Sequence, residues 1–136
     1  MELSQYSFTS DVNATDVGDL TVAGAYDSGC HSTISGYRMG TEGPTNVIDK
    51  YAFATDGNAT DVGDMSRQIE SAFGLTSQLN GYNCGGYVTS PSADTIDEIN
   101  RVSFTSDGNA VDVANLAATR IQGSGSTDTA NGYAMC

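Results

Sequence analysis

Oxygen-bearing side chains recur at short intervals in one stretch of the chain, at Asp56, Asn58, Asp61 and Asp64. Carboxylate and amide oxygens are the ligands that a hard cation such as calcium prefers. The spacing therefore predicts a calcium site, and calcium is the one cofactor that the sequence suggests. The same residue types also form Asx turns or face solvent, and the spacing is not that of an EF-hand loop, so both interpretations stay open.

The sequence favours a protein that is not an enzyme. His31 is the one histidine, and although serines lie close to it, the chain has no Gly-x-Ser-x-Gly motif that would present a nucleophile. The three cysteines form no Cys-x-x-Cys pair. Cys30 and Cys84 are expected to be unpaired thiols, with Cys84 packed as a small apolar residue, whereas the terminal Cys136 offers a pairing between chains.

The charge of the chain narrows the choice of partners. Seventeen acidic residues against five basic ones give a net charge of −12, which argues against nucleic acid and against an anionic membrane surface. No apolar run is long enough to span a membrane, and the residues from Met1 to Tyr6 lack the pattern of a signal peptide. A site of action outside cells would therefore need another route, such as release with a virus particle.

A thirteen-residue segment occurs in three similar copies, and a Gly-Tyr pair follows each of them. The copies are Phe8–Leu20, Phe53–Met65 and Phe104–Leu116, and the pairs begin at Gly36, Gly81 and Gly132. The step from the Phe to the Gly is 28 residues in every copy. A fixed step across variable residues indicates that one supersecondary unit has been repeated with its geometry retained.

Each unit is predicted to contain four short strands. Tyr51 and Phe53 share one face of an alternating stretch, which is the period of a strand. Asp56-Gly57 then predicts a tight turn before a second strand over 59–65. Four strands in a unit of this length are typical of a β-propeller blade. The expected fold is therefore all-β, with blades of four antiparallel strands.

The chain forms one domain with repeat units at about 3–46, 47–97 and 98–136. The second repeat step is longer than the first, and the extra residues fall after Gly81-Tyr82, within 87–95. Length variation confined to one connection predicts a loop on one face of the molecule, where function is usually found in repeat proteins.

The phase of the repeat predicts that the chain holds three blade-equivalents and that one blade is split. The first two strands of the chain correspond to the last two strands of a blade. The final two strands of the chain correspond to the first two strands of a blade. Unpaired strand edges invite association, so the final strands of one chain are expected to complete the first strands of another. A homodimer with six blades is favoured because propellers have four to eight blades and twofold symmetry is common.

A Gly85-Gly86 pair follows a Tyr-containing strand, and the segment Ile48–Asp64 lies before it in the chain. Together these features resemble the Kelch-like propeller repeat of bacteriophage and marine environmental proteins. The resemblance covers almost the whole chain, although the chain has no Trp, unlike the usual Kelch unit. It implies a structural or interaction module of a virion, on a phage tail or capsid surface. The alternative is a lectin-like propeller that binds a glycan or host-surface receptor, with Tyr37, Tyr82 and Tyr133 either stacking on sugars or packing between strands.

Overall fold

A computed structural model describes residues 1–43 and 45–135, and the regular structure in these residues is all β. The strands are, in chain order, β1 (Glu2–Gln5), β2 (Thr15–Asp19), β3 (Ser28–His31), β4 (Ser35–Met39), β5 (Val47–Ala52), β6 (Thr60–Asp64), β7 (Phe73–Thr76), β8 (Asn80–Val88), β9 (Asp94–Ser103), β10 (Val111–Asn115), β11 (Ser124–Thr127) and β12 (Gly132–Met135).

The strands form antiparallel sheets of two sizes. Two sheets have four strands, in the orders β3-β4-β5-β6 and β7-β8-β9-β10, and two have two strands, β1-β2 and β11-β12. The prediction of an all-β chain with four-stranded antiparallel sheets is thus confirmed. Each four-stranded sheet takes two strands from one predicted repeat unit and two from the next, because the predicted boundaries at 46/47 and 97/98 fall inside the sheets.

The strand pairs β1-β2, β5-β6 and β9-β10 share one irregularity, and the second strand of each pair lies in the repeated thirteen-residue segment. The register of each pair shifts by one residue after an apolar residue of its first strand, which is Leu3, Ile48 or Ile99. A bulge at this place increases the local twist and redirects the strand that carries it. The equal step in sequence therefore corresponds to an equal geometry of the backbone.

Two details of the repeat differ from the prediction. The Asp-Gly pair is part of a longer connection, over 53–59 and 104–110, and does not form a two-residue hairpin between adjacent strand ends. The extra residues after Gly81-Tyr82 do not all form a loop, because β8 and β9 continue pairing through Tyr87↔Thr95 and Val88↔Asp94. A bulge at Gly85 allows this longer hairpin, because Gly85 adopts a φ of 63° at little steric cost.

Successive sheets meet at their first strands. β3 packs beside β7, and β7 packs beside β11. The backbones approach so closely that a Cβ built on Gly74 would overlap the carbonyl of Gly29. Gly74 permits this approach because glycine has no side chain. The strands β3, β7 and β11 therefore lie in one row.

Ten buried apolar residues form one cluster between the sheets. Its members are Cys30, Tyr37, Met39, Ile48, Met65, Ile69, Val88, Ile96, Val102 and Ala110. Most of them come from the two four-stranded sheets, whereas the strand residues of β10, β11 and β12 are exposed throughout. Burial therefore decreases toward the final two-stranded sheet.

Candidate assembly interface

The two-stranded sheets β1-β2 and β11-β12 expose side chains that the four-stranded sheets bury. Tyr133 and Met135 in β12 are 50% and 51% exposed, whereas Tyr37 and Met39, at the equivalent positions of β4, are 1% and 0% exposed. β4 lies between β3 and β5 and its Tyr37 packs on Phe104 of the next sheet, whereas β12 pairs only with β11 among the described residues. The outer edge of β12 is thus an unpaired strand edge with apolar side chains.

The four-stranded sheets show which residue types would lie opposite each other if another strand paired with the outer edge of β12. In the first of them, Tyr37 of β4 lies opposite Lys50 of β5. In the second, Tyr82 of β8 lies opposite Arg101 of β9. Both sheets therefore place a tyrosine beside a cation at the centre of the sheet.

In the first four-stranded sheet, the tyrosine and the lysine contact the second sheet through a single carboxylate. The hydroxyl of Tyr37 donates to Oδ1 of Asp107 at 3.0 Å, and Nζ of Lys50 donates to Oδ2 of the same residue at 2.8 Å. Asp107 lies in the connection between β9 and β10, and it adopts a φ of 53°. Phe104 of the same connection packs on the Tyr37 ring, with the ring centroids 4.9 Å apart. We call this contact between consecutive sheets the joint.

The charges at this joint change the proton affinities of its members. Burial raises the pKa of Tyr37, and the hydrogen bond to Asp107 raises it further. The hydrogen bond to Asp107 also raises the pKa of Lys50. Each shift keeps the proton on the donor, so the phenol and the ammonium both remain donors to the carboxylate at neutral pH.

Backbone contacts complete the joint. The amide of Gly108 donates to the carbonyl of Val62 at 2.9 Å, and the amide of Ala110 donates to that of Asp64 at 2.8 Å. Oδ1 of Asn109 accepts from the amide of Asp64 at 3.0 Å. A Cβ on Gly63 would overlap the carbonyl of Gly108, so this strand position requires glycine.

The preceding joint repeats the backbone part of this arrangement. The amide of Gly57 donates to Val17 at 2.7 Å, Oδ1 of Asn58 accepts from the amide of Asp19 at 3.0 Å, and a Cβ on Gly18 would overlap the Gly57 carbonyl. The side-chain part is not repeated among the described residues, because Gln5 stands in the place of Lys50. The joint was not predicted from the sequence, although the recurrence of Asp-x-Asn in each copy was a signal for it.

Two of the four residues predicted to bind calcium, Asn58 and Asp61, form side-chain hydrogen bonds with the backbone. Asn58 belongs to the preceding joint, where its Oδ1 accepts from the amide of Asp19. Oδ1 of Asp61 accepts from the amide of Gly63 at 3.1 Å, which is an Asx-type contact. Asp56 and Asp64 lie at either end of the same segment, in the connection after β5 and at the end of β6. Within residues 1–43 and 45–135, no group of three or more His, Cys, Asp or Glu side chains is arranged to hold a metal ion. The calcium site stays a prediction.

A groove runs across the hairpin turns at the ends of β3, β7 and β11. Its volume is about 590 Å³, and its lining includes His31, Ser32, Thr76, Ser77, Thr127 and Asp128. These are equivalent positions in three copies, so the groove presents a row of similar polar groups. Hydrogen bonds from the amides of Ala130 and Asn131 lower the pKa of Asp128 to about 2, which keeps this carboxylate ionised.

His31 and the cysteines have ordinary surroundings. A ring nitrogen of His31 contacts the carbonyl of Ser32 at 3.1 Å, and the backbone amide of His31 donates to the hydroxyl of Thr76. Cys30 and Cys84 are buried, as expected for small apolar residues, and burial raises the pKa of the Cys30 thiol to about 12. Cys136 lies outside the described residues.

Comparisons with known proteins identify no family for the chain. No protein-family model matches it, and no curated protein matches it. Among the described residues, no helix has the length and apolar character needed to cross a membrane.

Proposed function

We propose that the protein is a non-catalytic structural and interaction module that works as a homo-oligomeric ring. A second copy completes each two-stranded sheet, so that β12 of one chain pairs with β1 of the other. The observation that carries the proposal is the exposure of Tyr133 and Met135 at positions whose equivalents are buried in β4. An edge of this kind is stabilised when another strand covers it.

The two half-sheets are complementary in register. The pairs Tyr37↔Lys50 and Met39↔Ile48 of the first four-stranded sheet correspond to Tyr133 with Gln5 and Met135 with Leu3. Tyr6 is 60% exposed and would lie opposite Gly132, as Tyr51 lies opposite Gly36. The shared sheet would thus cover apolar side chains on both strands.

The shape of the assembly follows from the repeat. Four-stranded sheets whose first strands lie in a row are compatible with propeller blades around an axis, as the Kelch-like resemblance implies. Two chains would supply four complete sheets and two shared ones, which is a six-bladed ring. By the same resemblance we place the ring on a virion, at the surface of a phage tail or capsid, outside the cell.

The first test is the solution mass of the wild-type chain and of the Met135→Asp variant. Light scattering coupled to gel filtration should give a dimer for the wild type at micromolar concentration. The variant should be monomeric, because it places a charge where the shared sheet would bury an apolar side chain. Ile34→Asp is the matched control, since Ile34 is also exposed, at 71%, but lies in the turn between β3 and β4, outside the strands of the proposed shared sheet. A monomeric wild type would refute the shared sheet.

Glycan or host-receptor binding is the second candidate function, and the groove of equivalent polar positions favours it. Hydroxyls and the Asp128 carboxylate can bond to sugar hydroxyls, and a ring would repeat the site and increase avidity. Binding of the assembled protein to a glycan array would support this function. Retention on isolated particles without glycan binding would support the structural role.

A further inference from the structure

Among the described residues, no carboxylate completes the joint that would follow the second four-stranded sheet, as Asp107 completes the joint after the first. We infer that the turn Asp11–Asn13 of a second copy occupies this place. This inference rests on the proposed shared sheet and adds a second contact to the same interface. It follows from the topology, because the sheet that completes β11-β12 brings the connection between β1 and β2 of the other chain beside β10.

The side-chain half of this joint is already present. Arg101 and Tyr82 lie opposite each other as Lys50 and Tyr37 do, but among the described residues neither has an ion pair or side-chain hydrogen bond. Asp11 is the equivalent of Asp107 in the first copy, and it is exposed. A carboxylate from a second copy would therefore satisfy the same cation and phenol that are paired within the chain one sheet earlier.

The backbone half of the joint likewise has no Asp-x-Asn turn bound to it within residues 1–43 and 45–135. The amide of Asn115 is the equivalent of the Asp19 and Asp64 amides, which donate to Asn58 and Asn109. Asn13 is the corresponding residue of the first copy. The strand β10 that carries Asn115 is exposed along its whole length. Asn13 of a second copy would thus repeat a contact that occurs twice within the chain.

Two departures from the repeat fall on this one contact. Val12 replaces the turn glycine that is Gly57 or Gly108 in the other copies, and Ala114 replaces the strand glycine that is Gly18 or Gly63. Gly108 adopts a φ of 97°, which a β-branched residue does not tolerate.

A valine at this place gives the turn another conformation and moves its carbonyl. The strand residue opposite then no longer needs to be glycine. If Val12 of one molecule faces Ala114 of another, the loss of the turn glycine explains why the strand glycine is also absent.

The test is a charge exchange between Asp11 and Arg101. Asp11→Arg and Arg101→Asp should each weaken association by about tenfold or more, because each places like charges in contact. The combination Asp11→Arg with Arg101→Asp should restore most of the wild-type dissociation constant, measured by sedimentation. Arg120→Asp is the control, since it removes the same charge from another exposed position and should leave the constant unchanged.

A disulfide reporter separates this inference from the shared sheet. Ser4→Cys and Ala134→Cys, introduced together with Cys136→Ser, should cross-link two chains under mild oxidation, because these positions correspond to Asp49↔Arg38. Restoration by the charge exchange supports the joint. Cross-linked dimers that are indifferent to every Asp11 and Arg101 variant would overturn the joint and leave the shared sheet standing. A chain that stays monomeric and uncross-linked would overturn both.

Discussion

At the scale of single residues, the closest contact between consecutive sheets depends on glycine. Gly63 in β6 adopts a φ of 158°, and its Cα faces the carbonyl of Gly108. The amide of Gly108 at the same time donates to Val62. A side chain at Gly63 would therefore have to displace a backbone segment that is itself hydrogen-bonded.

We expect Gly63→Ala to lower the free energy of unfolding by about 1 to 3 kcal/mol, the usual cost of inserting a methyl group into a filled space. Urea denaturation at a fixed protein concentration measures the change. Gly29→Ala is the matched control, because a Cβ on this strand glycine meets only the Tyr37 carbonyl, at an ordinary 3.6 Å. Equal effects of the two substitutions would contradict the steric origin of the glycine requirement.

At the scale of elements, β4 and β5 are joined by a buried ion pair. Arg38 donates to Oδ2 of Asp49 at 3.0 Å, and the two side chains are 6% and 0% exposed. Thr21 also donates to Asp49, through its amide and its hydroxyl, and Asp27 lies 3.1 Å from the guanidinium. The guanidinium of Arg38 compensates the charge of the fully buried Asp49, so the loss of Arg38 would leave that carboxylate uncompensated.

The equivalent positions of β8 and β9 carry Asn83 and Asn100, which are both fully buried. We therefore expect Arg38→Asn to destabilise the protein by about 3 to 5 kcal/mol, because Asp49 would keep an unpaired buried charge. The pair Arg38→Asn with Asp49→Asn should be less destabilised than Arg38→Asn alone, since it copies the neutral pair of the next sheet. Thermal unfolding of both proteins checks the order, and a double variant less stable than the single one would refute it.

Much of the element order could be predicted from the sequence, but not all of it. The alternation in Ile48–Phe53 correctly placed β5, because period two is a local property of a half-buried strand. The Asp-Gly pair predicts a two-residue hairpin, and this prediction is wrong because the amides of Gly57 and Gly108 bond to the preceding sheet rather than close their own hairpin. That contact joins residues far apart in the chain, so local turn chemistry does not show it.

The extra residues after Gly81-Tyr82 illustrate the same limit. The excess length suggested a functional loop, yet Tyr87 and Val88 extend β8 and pair with β9. Val88 is 3% exposed and belongs to the buried cluster. Whether an insertion becomes a loop or a longer hairpin depends on what it packs against, which composition alone does not specify.

At the scale of the whole molecule, assembly should be visible in the overall dimensions. A compact dimer of this chain has an expected radius of gyration of about 18 to 19 Å, against about 14 Å for a compact monomer. Solution X-ray scattering of the wild type should give the larger value, because the proposed shared sheets would hold two chains together. Met135→Asp should give the smaller one. A wild-type value near that of the monomer would contradict the ring.

The sequence by itself determined the repeat, its phase and the all-β class, because periodicity, turn residues and copy number are properties of neighbouring residues. Val12 and Ala114 depart from the other copies in the sequence, but the sequence alone does not relate the two positions to each other. Only the tertiary structure showed that the equivalent glycines, Gly57 with Gly18 and Gly108 with Gly63, meet in one kind of contact, where an Asp-x-Asn turn meets the outer strand of the preceding sheet. The reason is physical: that contact is made of backbone carbonyls, amides and one carboxylate that the fold brings together across dozens of residues.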